Sequence, residues 1–115
     1  MNMMDSFLPL KPNWFHILLA LTPVEQHGYA IMQAVLERTG GKVRLWPATL
    51  YGALKKLTDE GLIEESPTRP EPGADDPRRK YYRLTSLGRQ VLAAESQRLR
   101  DLVQLLDTQT MEAQS

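Results

Sequence analysis

Prolines and glycines cut this chain of 115 residues into short pieces and leave only its last stretch uninterrupted. Four of the eight prolines fall in "SPTRPEPGADDP" at 66–77, and none follows Pro77. Proline fixes φ and lacks an amide donor, while glycine accepts the left-handed backbone that ends helices, so these positions act as boundaries. In "PNWFHILLAL", Asn13 is a candidate cap for a helix carrying Trp14, Ile17, Leu18 and Leu21 at helical period, with Pro23 limiting it; the pattern predicts a helix over 13–22. "TPVEQHGYAIMQAVLERTGG" then offers Thr22 as cap, Pro23 as first helical residue and Glu25 as the acid of a capping box. Ile31, Met32, Val35 and Leu36 form its apolar stripe and Gly40 with Gly41 its stop, which predicts a second helix over 24–39.

"KVRLWP" alternates Val43 and Leu45 against Lys42 and Arg44 and reads as a brief strand or an extended linker. "PATLYGALKKLTDEG" runs from Pro47, preorganised for a first helical turn, to Gly61, placed for a left-handed cap. Leu50, Ala53, Leu54 and Leu57 share one face of it, and Thr49, Tyr51, Gly52, Lys55 and Lys56 point elsewhere. Beyond Gly61, "LIEE" and "RRKYYRL" are β-type runs flanking the proline-rich segment and predict a hairpin with a long, non-rigid loop. Alternation sets Tyr82 with Leu84 towards the core and Tyr81 with Arg79 and Arg83 towards the surface.

From Thr85 and Ser86, both cap candidates, a proline-free segment carries Leu92, Leu99 and Leu106 at seven-residue spacing, with Leu102 and Val103 between them. So small a domain cannot cover so long a stripe, which points to packing against another chain. The other reading is a helix that caps its own core and frays after about residue 100. Glu95 and Ser96 argue against burial all round.

Composition narrows the function. Fourteen Lys plus Arg balance fourteen Asp plus Glu, so any affinity for a polyanion must come from placement, as in "RRKYYRLT" at 78–85. No apolar run approaches the roughly 20 residues of a membrane span, and "MNMMDSF" has no basic signal-peptide region, so a cytoplasmic protein without a membrane partner is expected. The absence of cysteine removes disulfides, thiol nucleophiles and zinc-thiolate sites. His16 and His27 sit on different predicted helices without a metal-ligand spacing, and Asp75 and Asp76 lie in a loop without a pocket. No glycine-rich phosphate loop is present either, and neither an enzyme nor a metal or other cofactor is expected.

Helix, helix, helix, hairpin, helix is the layout of a winged helix-turn-helix: a mainly α fold with a small β-hairpin. Residues 10–85 would form the DNA-binding domain and 86–110 a C-terminal dimerisation helix. The free face of the third helix suits the major groove of double-stranded DNA, while the hairpin would carry Arg78, Arg79, Lys80 and Arg83 along the backbone. The alternative is an interaction module that docks a protein through the same helix and keeps its basic wing for solubility.

Three fragments, "HGYAIMQAV" at 27–35, "PATLYGALKKLTDEGLIE" at 47–64 and "RRKYYRLTSLGRQVL" at 78–92, resemble in order and spacing the signature of the PadR family of bacterial transcriptional regulators. The likeness spans Pro9 to Leu106. It implies a winged-helix homodimer paired through the C-terminal helix, here through Leu92, Leu99, Leu102, Val103 and Leu106. It also implies repression of a nearby promoter, relieved by a small-molecule effector or another signal. Carried over by position, Thr49 and Tyr51 meet the DNA surface, Lys55 and Lys56 lie near phosphates, and Arg78, Arg79 and Lys80 follow the backbone. Two positions depart from expectation: Trp46 stands where a capping Ser, Asn or Asp is favoured, and Gly52 offers no side chain for readout. Glu71, Asp75 and Asp76 would be repelled by phosphate, so the wing tip is expected to point away from it.

Overall fold

The computed structural model describes residues 3–67 and 79–114. After a short 3-10 helix, Met3–Phe7, comes α1 at Pro12–Ala20. Pro12 takes its first turn and Lys11 the N-cap, with no side-chain bond, so Asn13 lies inside the helix instead of capping it. Its terminal carbonyls are met from a distance: Thr22 Oγ1 and Arg38 Nη1 donate to the Leu19 carbonyl, and Gln26 Nε2 to that of Ala20.

The next segment departs from expectation. Thr22, Pro23 and Glu25 do not open a helix; the chain bends through Thr22, Pro23 and Val24, and Gln26–His27 forms strand β1. Helix α2, Gly28–Arg38, is capped by His27, whose Nδ1 accepts the Ala30 amide at 3.2 Å. Glu25 instead accepts a hydrogen bond from the Ser66 hydroxyl at 2.6 Å and lies 3.7 Å from Arg83, tying this segment to the wing. Tertiary pairing has overridden a sound local capping signal.

Gly40 and Gly41, at φ 61° and 82°, end α2, and the Gly41 amide reaches the Leu36 carbonyl at 2.8 Å. Of "KVRLWP", residues 43–46 form a linker outside any strand, and its Leu45 is buried in the core. Helix α3, Pro47–Asp59, closes as the sequence predicts: Gly61 has φ 78° and the Leu62 amide donates to the Leu57 carbonyl at 3.0 Å. Strands β2, Ile63–Ser66, and β3, Tyr81–Leu84, pair antiparallel with Ile63 opposite Leu84 and Ser66 opposite Tyr81. Strand β1 adds to the far edge of β3, giving a three-stranded sheet in the order β1-β3-β2 where a two-stranded hairpin is the sequence expectation. The whole is a winged helix-turn-helix, and its core joins Ile17, Leu18, Ile31, Leu54, Leu57 and Val91.

Helix α4 spans Ser86–Gln114, 29 residues or about 43 Å, and accounts for much of the molecule's 63 Å length. Thr85 caps it: its hydroxyl accepts the Gly88 amide at 3.0 Å and donates to the Gly61 carbonyl at 2.6 Å, while its own amide donates to the Leu62 carbonyl. At Gly88 a Cβ would overlap the Leu62 carbonyl oxygen, so the first turn of α4 lies directly on the turn that ends α3. Further along this face Val91 is fully buried and Leu92 is half-buried against the core. Glu95, whose polarity argues in the sequence against a helix buried all round, is itself only 3% exposed. Its carboxylate accepts the Leu10 amide at 2.8 Å and pairs with Arg98. That bond pins the N-terminal segment, whose Met4, Phe7 and Leu8 pack on the core. The helix does not fray after residue 100, and Leu99, Leu102, Val103 and Leu106 extend exposed past the domain. Among the described residues no helix is long and apolar enough to cross a membrane.

The hydrogen bond from Arg98 holds the Glu95 carboxyl below the usual carboxylate range, against the upward push of burial. A carboxyl depressed in the folded state contributes stability above its unfolded pKa, and that contribution is lost as pH falls through the folded value. Glu95→Gln should therefore lower stability at pH 7 by about 1 kcal/mol, a Tm drop of roughly 4–8 °C. In thermal melts from pH 7 to 3 the gap to the unsubstituted protein should narrow below about pH 4.5.

Candidate nucleic-acid interface

The leucine face of α3 is spent on the core, and that burial decides which side chains remain for a ligand. Thr49, Tyr51, Gly52, Lys55 and Lys56 are all exposed. Lys55 rests 3.2 Å from Asp59 one turn on, an exposed pair of small value that a phosphate oxygen can displace. Lys56 and Thr49 turn towards the start of α1, where with Lys11, Asn13 and Gly52 they line an open groove of about 420 Å³. The Lys11 ammonium lies 5.0 Å from the centre of the Trp14 ring. Neither Lys11 nor Asn13 stands out in the sequence as a ligand-facing residue, because only the fold brings the start of α1 beside α3.

On its other side α3 meets the wing. His27, Gly28, Tyr29, Tyr51, Arg79, Lys80 and Tyr82 line a pocket of about 380 Å³, so Tyr51 from the helix and Arg79 and Lys80 from the wing face one space. Arg78 lies outside the described residues, as do Glu71, Asp75 and Asp76. Arg83, expected along the DNA backbone with its neighbours, is held 3.0 Å from Glu64 and 3.7 Å from Glu25, so it braces the sheet.

Of the two tyrosines, Tyr82 packs towards the core as alternation predicts, and Tyr81 departs from its expected exposure. Tyr81, the surface candidate, is 6% exposed, because β1 covers that edge and the His27 ring meets it edge-on at 5.3 Å. Tyr82 packs partly against the core yet reaches the pocket. Burial first, and then Glu65 and Tyr51, push its phenol up, so it stays a neutral hydroxyl donor at working pH. His27 stands beside it. Because Nδ1 accepts the Ala30 amide, a neutral ring carries its proton on Nε2, which lies 3.3 Å from Arg79 Nη1. Tyr51 is seated by Gly28, where a Cβ would stand 2.9 Å from Tyr51 Cε1.

Of the stripe on α4, Leu92 lies against the protein's own core, whereas Leu99, Leu102, Val103 and Leu106 are exposed; Leu105 and Met111 are exposed as well. Among the described residues no group of three or more His, Cys, Asp or Glu is placed to hold a metal ion.

With this geometry in hand, comparison with known proteins is direct. The family model described as the transcriptional regulator PadR-like family matches residues 17–94. An uncharacterized protein of Lysinibacillus sphaericus is 30% identical over 91 residues, covering 79% of this chain and 81% of that one. Among solved structures, Bacillus subtilis PadR in complex with operator DNA is 32% identical with a TM-score of 0.61, over 75% of this chain and 47% of that one. A PadR family transcription regulator from Clostridium difficile is 27% identical with a TM-score of 0.64, over 83% of this chain and 96% of that one.

The contact at Gly28 can be tested directly. Gly28→Ala should swing the Tyr51 ring out of its seat, since the neighbour it meets is the far end of a flexible side chain. We expect the near-ultraviolet circular dichroism of the tyrosines to change while Tm moves by less than about 8 °C, the equivalent of roughly 1 kcal/mol.

Proposed function

Since this chain belongs to the PadR-like family of transcriptional regulators, we propose that it acts as a dimeric repressor that binds an inverted-repeat operator. The observation that carries the reading is the shared pocket, in which Tyr51 of α3 and Arg79 and Lys80 of the wing face one space. Helix α3 enters the major groove. Thr49 and Tyr51 approach base edges, and Lys55 and Lys56 take flanking phosphates. Arg79 and Lys80, with Arg78 beside them in sequence, follow the sugar-phosphate backbone. Support for DNA as the ligand also comes from the Bacillus subtilis relative, whose structure holds operator DNA.

Pairing is supported by the exposed end of α4. Leu99, Leu102, Val103 and Leu106 prolong the face that Val91 and Glu95 bury, and Leu106 is 65% exposed. A second copy laid against this stripe removes it from water and relates two reading helices by a two-fold axis. Half-sites one or two DNA turns apart follow from that symmetry. An effector belongs to the same reading: an open groove of about 540 Å³, lined by Phe15, Leu99 and Val103 together with the polar Ser96, Arg100, Gln104 and Asp107, includes part of the stripe, and a second copy laid over it would turn it into a place for a small molecule between the two chains.

Salt dependence of operator binding tests the DNA reading against a protein-docking one. The logarithm of affinity should fall linearly with that of salt concentration, by about 0.9 per phosphate contacted. A flat response would favour a protein partner. Within that measurement, Lys55→Ala or Arg79→Ala should weaken specific and random duplexes alike and reduce the slope by about 1, whereas Thr49→Ala should change which sequence is preferred. Pairing has a separate readout. The double substitution of Leu99 and Leu102 by Asp should give monomers in sedimentation and lose tight operator binding, with the melting transition of the winged domain retained.

A further inference from the structure

Trp46 is the largest side chain left without a role by the fold and the proposed contacts. It occupies the N-cap of α3 in extended backbone, φ −71° and ψ 153°, and makes no side-chain capping bond. It is 64% exposed, so it serves neither the cap nor the core. Its backbone is nevertheless firmly set. Leu45 before it is buried, Pro47 after it fixes the first turn, and its carbonyl accepts the Leu50 amide at 2.9 Å. Burial of Leu45 turns the next side chain outward, and the indole therefore projects from the N-terminal end of the helix. Arg44 steadies it, with the guanidinium carbon 5.2 Å from the ring centre.

The N-terminal end of a reading helix is the end whose residues approach base edges. An indole there has one donor and a broad apolar surface. In the major groove the apolar group presented by a base pair is the thymine 5-methyl. A guanidinium stacked on one side of the ring brings positive charge towards the phosphates and leaves the remaining surface for that methyl. We infer that Trp46, backed by Arg44, is a specificity-determining residue that packs on a thymine methyl at the edge of each half-site. This inference rests on the DNA-binding reading above.

Exposure at a cap position makes the proposal separable from a structural role. A serine at 46 can accept an amide of the first turn, which Trp46 does not, so Trp46→Ser should hold or raise Tm while loosening sequence preference. The experiment selects bound duplexes from a random pool with the unsubstituted protein and with Trp46→Ser. Affinities are then measured on the selected operator with thymine or with deoxyuridine, which lacks the methyl. The expected result is a thymine column in each half-site that Trp46→Ser flattens. Deoxyuridine at that column should weaken the unsubstituted protein about tenfold and leave Trp46→Ser unchanged. Identical selected sequences for the two proteins, an equal methyl effect in both, or a lowered Tm accompanying a general loss of binding would each overturn it. If the unsubstituted protein enriches no sequence and binds no duplex at low salt, the DNA-binding reading itself fails, and that is visible before any variant is made.

Discussion

The architecture turns on a single place of backbone contact, where the first turn of α4 rests on the turn that ends α3. Gly88 permits it, since any Cβ there would overlap the Leu62 carbonyl oxygen. Thr85 secures it with one hydroxyl used twice, accepting from the Gly88 amide and donating to the Gly61 carbonyl. The same short stretch ends the exposed-faced helix, starts β2 and caps α4. Side-chain packing alone would leave some play between these elements. Backbone laid on backbone, with the groups at the junction hydrogen-bonded, leaves little.

The sheet performs a comparable service for the wing. Because β3 is the central strand, it is held on one side by β2 and on the other by β1, immediately before α2. Glu25 adds a polar clasp through Ser66 and Arg83, and His27 both caps α2 and packs against Tyr81. The base of the wing is therefore anchored to the helical body at two points. Arg79 and Lys80 start from that anchored base, which is why they share a pocket with Tyr51 of α3.

What could be read from the sequence followed from local chemistry. Pro47 and Gly61 bound α3 as expected, and the spacing of Leu50, Ala53, Leu54 and Leu57 correctly separated its buried face from its exposed one. The errors arose where a distant partner outweighed a local signal. Thr22, Pro23 and Glu25 make a proper capping sequence, but Gln26 and His27 pair with β3 instead of adding a helical turn. Alternation placed Tyr82 towards the core, yet it could not reveal that β1 covers Tyr81 as well. Glu95 had the look of a solvated residue because its partner, the Leu10 amide, lies 85 positions away. His27 and Lys11 line pockets without any local signal of it, for the same reason.

Helix α4 is anchored at one end and outruns the domain at the other. Its base is fused to the end of α3, and its exposed stripe begins some fifteen Å further on, about ten residues at 1.5 Å each. In a dimer joined through that stripe, α4 is a lever whose fulcrum is the interface and whose short arm carries the reading helix. In such a pair, a small rotation of one lever against its partner would alter the separation of the two α3 helices without requiring the interior of either domain to change. Anything that changes how two such levers cross would be felt as a change in span along the duplex.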